Sequence, residues 1–426
     1  MTPRSAAAIL EELERLGVRL GLETFRSLLG RLDNPERAVP VVLIAGTNGK
    51  GSTAAMLASI ARRAGARTGL ATSPHLERVE ERIRIDGRSI PTGALGRHLR
   101  TTLAAAAGAG LPDPTYFEAT TAAAFLAFAE AAVDLAVVEV GMGGRLDATN
   151  AAEPVLSIVT PVALDHTAEL GTTPAAVAGE KAGIFRAGRP ALLARQEPVA
   201  DAALAAAAGR VGARLLRREQ LARVVSAEWR GLDGHGLQLD LDGEALDLEL
   251  PLAGEHQIEN AATAVAAARV LGAEGILAID DAALRGGVAA TRWPGRLEPI
   301  AVRGTPSTVL LDAAHNPHGC EALAGFLDRL GRPFTLLFGA LGDKQVSGML
   351  PPLAERARAV VLTRPDSPRA VDPAVLRELV PAGRTIDVVE PPATALESAL
   401  AKGSELVVAC GSIYLIGALR RLVNRC

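Results

Sequence analysis

The residues whose types and spacing can do chemistry begin with Gly46-Thr47-Asn48-Gly49-Lys50-Gly51-Ser52-Thr53, which follows the apolar run Val41-Val42-Leu43-Ile44-Ala45 and opens an alanine-rich stretch. Glycines in a strand-to-helix turn let backbone N–H groups face an anion, and a helix start adds its positive dipole end. Lys50 can reach outer phosphates, and Ser52 or Thr53 can offer a hydroxyl to Mg²⁺. The strict GxxxxGK[ST] pattern is not met: Ile44 stands at its first glycine, and Gly51 separates Lys50 from Ser52. The loop is a variant phosphate cradle, and the competing reading is a glycine-rich turn with a solvated lysine.

Three more polar residues end successive apolar runs: Ser73, Glu139 and His166. Together they form an oxygen and nitrogen set suited to Mg²⁺ that also touches phosphates. Taken singly, such a Glu is as well explained by pairing and such a His by a core hydrogen bond. Lys181, in Glu180-Lys181-Ala182-Gly183-Ile184-Phe185, lies between apolar neighbours. A buried lysine loses its charge and becomes a nucleophilic amine; the alternative is a surface lysine paired with Glu180. In Gly143-Gly144-Arg145-Leu146-Asp147-Ala148-Thr149-Asn150, Arg145 and Asp147 can orient a polar substrate or each other, or the run is a capped turn. Arg296 suits a γ-phosphate because its fork is planar and permanently charged, and Asp312, ending another apolar run, suits ribose hydroxyls.

These residues need a scaffold that brings strand ends together. Helices are expected over residues 5–16, from Gly21-Leu22-Glu23-Thr24 to near Asn34-Pro35, and over 118–132; strands are expected at 41–45, 67–72, 135–141 and 155–164. Strands apolar throughout and alternating with helices argue for an α/β fold with a mostly parallel sheet covered by helices on both faces. Polar residues at the strand ends then gather at its carboxyl edge. From about Leu221 to Leu252 the period becomes two, with Asp242-Gly243 as a hairpin signal, so a small antiparallel annex is expected. The boundary is placed at Trp293-Pro294-Gly295-Arg296, giving a domain over residues 1–296 and a smaller Rossmann-like domain over 297–426. The latter lacks GxGxxG after its first strand, which weakens a dinucleotide reading.

The chain has 426 residues and a net charge of −3, so no sequence-wide basic footprint points to nucleic acid. Cys320, Cys410 and Cys426 are far apart, without CxxC spacing, which indicates neither a disulfide framework nor zinc and fits a reducing compartment. The start, Met1-Thr2-Pro3-Arg4, runs into an amphipathic helix, and no apolar run has membrane length. The expectation is a soluble, cytoplasmic protein.

The segments GTNGKGST, TSPHL, VEVGMGGRLDATN, LDHTAELG, EKAGIFR, GEHQIENA, PGRLE, LDAAHNPHG and CGSIYLIGALR, in this order, resemble folylpolyglutamate synthase and the bifunctional dihydrofolate synthase/folylpolyglutamate synthase of the Mur ligase superfamily. The resemblance runs from Gly21 to Gly417. It implies a P-loop ATPase domain followed by a Rossmann-like domain that closes over the nucleotide. It implies ATP at Gly49, Lys50, Gly51, Ser52, Asn260, Arg296 and Asp312, and Mg²⁺ at Ser73, Glu139 and His166. Lys181 stands where the family carries a carbamylated lysine, and pteroate is expected near Gly21, Leu22, Phe117, Leu146, Asp147 and Ala148. The family also suggests a monomer.

The implied reaction transfers the γ-phosphoryl of ATP to a carboxylate, giving an acyl phosphate that the amine of L-glutamate attacks. Lys50, Lys181 and His315 are the expected catalytic residues, His315 as the base that deprotonates the incoming ammonium. Asp147, Ala148 and the amino-terminal Leu-Gly-Leu-Glu resemble the bifunctional bacterial enzymes, which implies action on both dihydropteroate and folates over a single-activity folylpolyglutamate synthase. A peptidoglycan amino-acid ligase would carry a sizeable sugar-nucleotide domain ahead of the cradle, where about forty residues precede Gly46. A regulatory P-loop protein would leave Glu139, His166 and Lys181 unexplained.

Overall fold

The computed structural model describes residues 5–17, 19 and 21–424. Met1-Thr2-Pro3-Arg4, Leu20 and Cys426, all used above, lie outside the described residues. The chain divides into two compact units. The first holds the residues up to Ala227, Gly236–Glu249 and Ile258–Thr291; the second holds Glu228–His235, Leu250–Gln257 and the chain from Arg292 onward.

The first unit is built on eight strands: β1 Val41–Ala45, β2 Thr68–Ala71, β3 Ile83–Ile85, β4 Arg88–Ser89, β5 Leu135–Glu139, β6 Leu156–Val159, β7 Pro190–Leu193 and β8 Arg214–Arg217. Their order is β4-β3-β2-β5-β1-β6-β7-β8. From β2 to β8 all neighbours run parallel, and β3 and β4 add an antiparallel edge. Every side chain of β1 and β5 is buried, which requires both faces of the sheet to be covered. The strand expected over 155–164 is shorter, ending at Val159. Beyond it Thr160 turns its hydroxyl onto the Ala45 carbonyl, 3.2 Å away, and Pro161 has no N–H for a ladder.

Helix Lys50–Arg63, which follows the cradle, is buried along most of its length, and helix Asp281–Ala289 packs across it at backbone distance. A Cβ on Gly287 would lie 2.4 Å from Ile60 Cα, so glycine is what allows this approach, and Ser59 donates its hydroxyl to the Gly287 carbonyl at 2.7 Å.

The expected annex is a three-stranded sheet: β9 Arg223–Trp229, β10 His235–Leu241 and β11 Glu244–Leu250, in the order β11-β10-β9. Burial alternates along β10, and Asp242 and Gly243 take φ of 56° and 93° in the two-residue turn to β11.

The second unit has six strands: β12 Glu298–Ala301, β13 Thr308–Leu311, β14 Phe334–Phe338, β15 Ala359–Leu362, β16 Thr385–Val388 and β17 Leu406–Cys410, ordered β12-β13-β17-β14-β15-β16. All pairs are parallel except β12 with β13, as suits a Rossmann-like sheet. Segment 228–235 belongs to this unit through Trp229, which meets Phe326 edge-on at 6.3 Å between ring centroids while the Arg329 guanidinium stacks over it at 4.6 Å. Cys320 and Cys410 are buried free thiols; burial pushes Cys320 up to about 12, so it is not a nucleophile at neutral pH. Among the described residues no helix is long and apolar enough to cross a membrane.

Candidate active site

The cradle leaves β1 through Gly46, whose φ is 144° and whose missing Cβ would lie 1.8 Å from Thr160 Oγ1. The loop is then tied to the segment after β6. The Thr47 N–H donates to the Pro161 carbonyl at 3.0 Å, its hydroxyl donates to the Ala163 carbonyl at 2.8 Å, and it accepts from the Ala163 N–H at 2.9 Å. Gly49, at φ 87°, opens the helix; a Cβ there would lie 2.3 Å from Asn260 Oδ1, so Asn260 abuts the turn. Thr53 also reaches Asn260 Oδ1, at 3.5 Å. Asn260 therefore stands beside the cradle within one unit, although about two hundred residues separate them in sequence.

Two amines converge on one carbonyl oxygen. Lys50 Nζ donates to Gly46 O at 3.1 Å and Thr47 O at 3.0 Å, and Lys181 Nζ donates to the same Gly46 O at 2.7 Å. Lys181 is 4% exposed, at the end of helix Pro174–Lys181. Burial first, and then the Lys50 ammonium, push its amine down to about 7, against smaller pulls from Asp165 and Asp147. The surface-lysine alternative is thereby excluded. Glu180 turns the other way and accepts from Arg145 Nη2 at 2.9 Å and Nε at 3.2 Å.

Glu139, at the end of β5, is buried, and its Oε2 accepts from the Ser73 N–H at 3.1 Å, which brings the ends of β2 and β5 together. His166, half-exposed with φ 49°, follows β6, and its N–H donates to Asp165 Oδ1 at 3.0 Å. The three sequence-selected groups thus come from the carboxyl ends of β2, β5 and β6, on either side of β1. Among the described residues no group of three His, Cys, Asp or Glu side chains is gathered for a metal. This donor set has one carboxylate, one hydroxyl and one imidazole. It fits a hard divalent cation that keeps water and phosphate oxygens as its other ligands, the usual habit of Mg²⁺.

In the loop after β5, Asp147 is buried and occupied: Oδ2 accepts from the Met142 N–H at 2.9 Å, and Oδ1 accepts from the Thr149 N–H at 3.0 Å and its hydroxyl at 2.6 Å. Burial raises its carboxyl, and these hydrogen bonds oppose the rise. Of the alternatives for this run the structure shows the capped turn: Asp147 folds its own turn, and Arg145 serves Glu180 rather than Asp147. Phe117 sits against this loop, since a Cβ on Gly141 would lie 2.5 Å from its ring and 3.1 Å from Asp147 Oδ2. Ala148 opens the turn Ala148–Ala151 that Asp147 caps. Gly21 and Leu22 lead into helix Glu23–Arg31.

The second unit gathers Arg296, Asp312 and His315. Asp312 is buried; Oδ2 accepts from the Leu297 N–H and Oδ1 from the Ala314 N–H, both at 2.9 Å. Burial raises its carboxyl against the opposing pull of Arg296. His315 Nδ1 lies 2.8 Å from the Ala313 carbonyl, an acceptor, so Nδ1 carries the proton and Nε2 is the basic nitrogen of the neutral ring. Asn316 accepts from the Gly319 N–H at 2.8 Å and caps helix Pro317–Leu330. Sequence reading passed over Asn150 and Arg186, which tie the loop after β5 to the segment after Lys181; the signal was a buried-type amide in LDATN and an arginine ending EKAGIFR.

A parallel sheet with a lysine-bearing cradle, followed by a Rossmann-like unit, is the plan of a Mur ligase. The Mur ligase middle domain matches residues 44–268, and the Mur ligase, glutamate ligase domain matches residues 295–413. Dihydrofolate synthase/folylpolyglutamate synthase of Mycobacterium tuberculosis is 41% identical over 401 residues, covering 87% of this chain and 81% of its own length. A probable bifunctional folylpolyglutamate synthase/dihydropteroate synthase of Haloferax volcanii is 38% identical over 441 residues, and the chain spans 51% of that longer protein. The solved structure of E. coli FolC in complex with DHPP and ADP superposes with a TM-score of 0.88 at 33% identity, covering 99% of this chain and 98% of the other. The chain belongs to the folylpolyglutamate synthase/dihydrofolate synthase family of Mur ligases.

Proposed function

We propose that the chain is an ATP-dependent amide ligase that joins L-glutamate to the carboxylate of dihydropteroate and of folyl-(poly)glutamates, giving ADP and phosphate. The observation that carries this reading is the meeting, at one sheet edge, of the cradle after β1, the Glu139 carboxylate after β5 and the buried amine of Lys181. A carboxylate is a poor acyl donor. Its oxygen therefore first attacks the γ-phosphorus and ADP leaves; the glutamate amine then attacks the acyl carbon and phosphate leaves. The protein's part is to neutralise charge and align groups.

On this reading Gly49, Gly51 and Ser52 cradle phosphates, Lys50 leaves its two loop carbonyls to meet them, and Asn260 bounds the nucleotide. Arg296 and Asp312 are the second unit's nucleotide contacts. His315 takes a proton from the incoming ammonium at Nε2, the ring nitrogen its hydrogen bond leaves basic. Ser73, Glu139 and His166 would hold Mg²⁺, which when bound offsets phosphate charge. With its amine near 7, Lys181 is deprotonated in substantial part at neutral pH and can attack CO₂, losing a proton to give the carbamate the family carries. Gly21, Leu22, Phe117, Leu146, Asp147 and Ala148 are assigned to the pteroate side. We place the boundary of the two sequence domains at residues 296 and 297, a few residues past Arg292, where the second compact unit takes up the chain and includes Arg296, and infer a cytoplasmic monomer without nucleic-acid or membrane partners.

Phosphate release with ATP, Mg²⁺ and L-glutamate, comparing dihydropteroate with tetrahydrofolate, tests the reading. Activity with both acceptors is expected. Activity with one alone would make the enzyme a specialist, and no glutamate-dependent release would remove the folate assignment.

A further inference from the structure

The loop after β5 and the segment carrying Lys181 are different parts of the chain, yet they are joined more closely than packing requires. The Arg145 N–H donates to the Glu180 carbonyl at 2.9 Å. A Cβ on Gly144 would lie 2.8 Å from both the Glu180 and Lys181 carbonyl oxygens, and one on Gly183 would lie 2.4 Å from Arg145 Cα. The two backbones therefore touch on both sides of Lys181.

Across this seam lies Asn150, which is 4% exposed. Its Nδ2 donates to the Arg145 carbonyl at 3.1 Å and to the Gly183 carbonyl at 3.0 Å, so a single amide group bridges the loop and the lysine segment. Its Oδ1 accepts from Arg186 Nη2 at 2.9 Å, which fixes the orientation: the NH₂ faces two carbonyls and the oxygen faces a cation. Arg186 is itself held on both sides of the seam, with Nη1 donating to Gly183 O and Phe185 O and Nη2 also donating to Asn150 O and Ala152 O. Ser157 on β6 anchors the same segment through the Ile184 carbonyl at 2.7 Å.

We propose that Asn150, oriented by Arg186, is a positioning residue that holds the loop bearing Leu146, Asp147 and Ala148 in register with Lys181, so that acceptor binding and the lysine's environment are set by one buried amide. The assignment of that loop to the acceptor rests on the functional reading above; the bridge itself does not.

Asn150→Asp tests it in the full chain, because aspartate keeps size and the Arg186 partner while replacing both donors with an acceptor that faces two carbonyls. KM for dihydropteroate should rise about tenfold or more and kcat should fall, while the Kd for ADP stays within about twofold, since the cradle is tied elsewhere. Loosening the seam lets water reach Lys181. The midpoint of its modification by an amine-acylating reagent, followed against pH by mass spectrometry, should therefore move up by about one unit. Arg186→Lys, which keeps a cation but loses the fork, should show the same pattern with a smaller amplitude. Equal loss for all substrates in proportion to loss of folded protein, with the Lys181 curve unmoved, would overturn the proposal. If the wild-type chain turns over neither acceptor, the functional reading fails, and a shifted Lys181 curve in Asn150→Asp would still support the bridge.

Discussion

The loop after β1 and the loop after β13 occupy equivalent places, each at the carboxyl end of a strand in a parallel sheet, and each is shaped by the opposite charge. The first bends through glycines and gathers cations: two lysine amines meet on the Gly46 carbonyl. The second bends around a buried carboxylate, Asp312, whose two oxygens take the N–H groups of Leu297 and Ala314. In the first, the amines donate to backbone carbonyls of the loop; in the second, both carboxylate oxygens accept backbone N–H groups. A charged residue at a strand end can thus shape its own loop, and its hydrogen-bond partners show whether it does.

Removing the cation should have the largest effect. Lys50→Ala should lower ligation with both acceptors by about a thousandfold, the upper end for loss of one preorganised charge-stabilising group. Phosphate release with each acceptor measures it, and retained turnover would dissolve the contrast between the two loops.

A second test uses the strain of burying Lys181. Its folded pKa of about 7 lies below the ordinary lysine value of 10.5, so between these limits the unfolded chain binds the extra proton. Stability should therefore rise with pH from 7 to 10.5, and the cost of burying the amine is fully present below pH 7. Lys181→Met removes that cost. The variant should be more stable than wild type by roughly 5 kcal/mol at pH 6, with the gap closing towards pH 10. Urea unfolding at the two pH values checks this, and a gap independent of pH would mean that the amine is not strained.

The smallest change is expected at the other loop. Asp312→Asn places an NH₂ where one of two buried N–H groups needs an acceptor, which should cost about 2 kcal/mol. Unfolding measurements would show it, and an unchanged stability would mean that the carboxylate does not shape the turn.

How much of this was legible in the sequence follows from the same contrast. The cradle was legible because glycine, lysine and hydroxyl residues follow a fully apolar strand, and the parallel sheets because their central strands are buried on both faces. Three of the four edge strands of these sheets were not: β4 is Arg88–Ser89, β8 carries arginine at both ends and β12 contains Pro299, so none shows apolar continuity. Ser73, Glu139 and His166 were selected by a shared position at strand ends, and the structure places them there, after β2, at the end of β5 and after β6. The state of Lys181 was not legible, because a lysine beside a glutamate reads as a surface pair until Arg145, thirty-five residues earlier, is seen to take that glutamate. Asn150 and Arg186 were missed for a related reason: their partners are backbone carbonyls, which have no letter in the sequence.

Gly287 illustrates a further consequence for mutational screens. It lies far along the chain from the cradle, and ten residues, about 15 Å of helix, separate Ile60 from Lys50. Because its bare Cα lies against Ile60, any side chain there would push or roll the helix that presents Lys50. A screen for loss of ligation should therefore recover Gly287 substitutions alongside those of the cradle, and without the fold they would pass for a second catalytic locus.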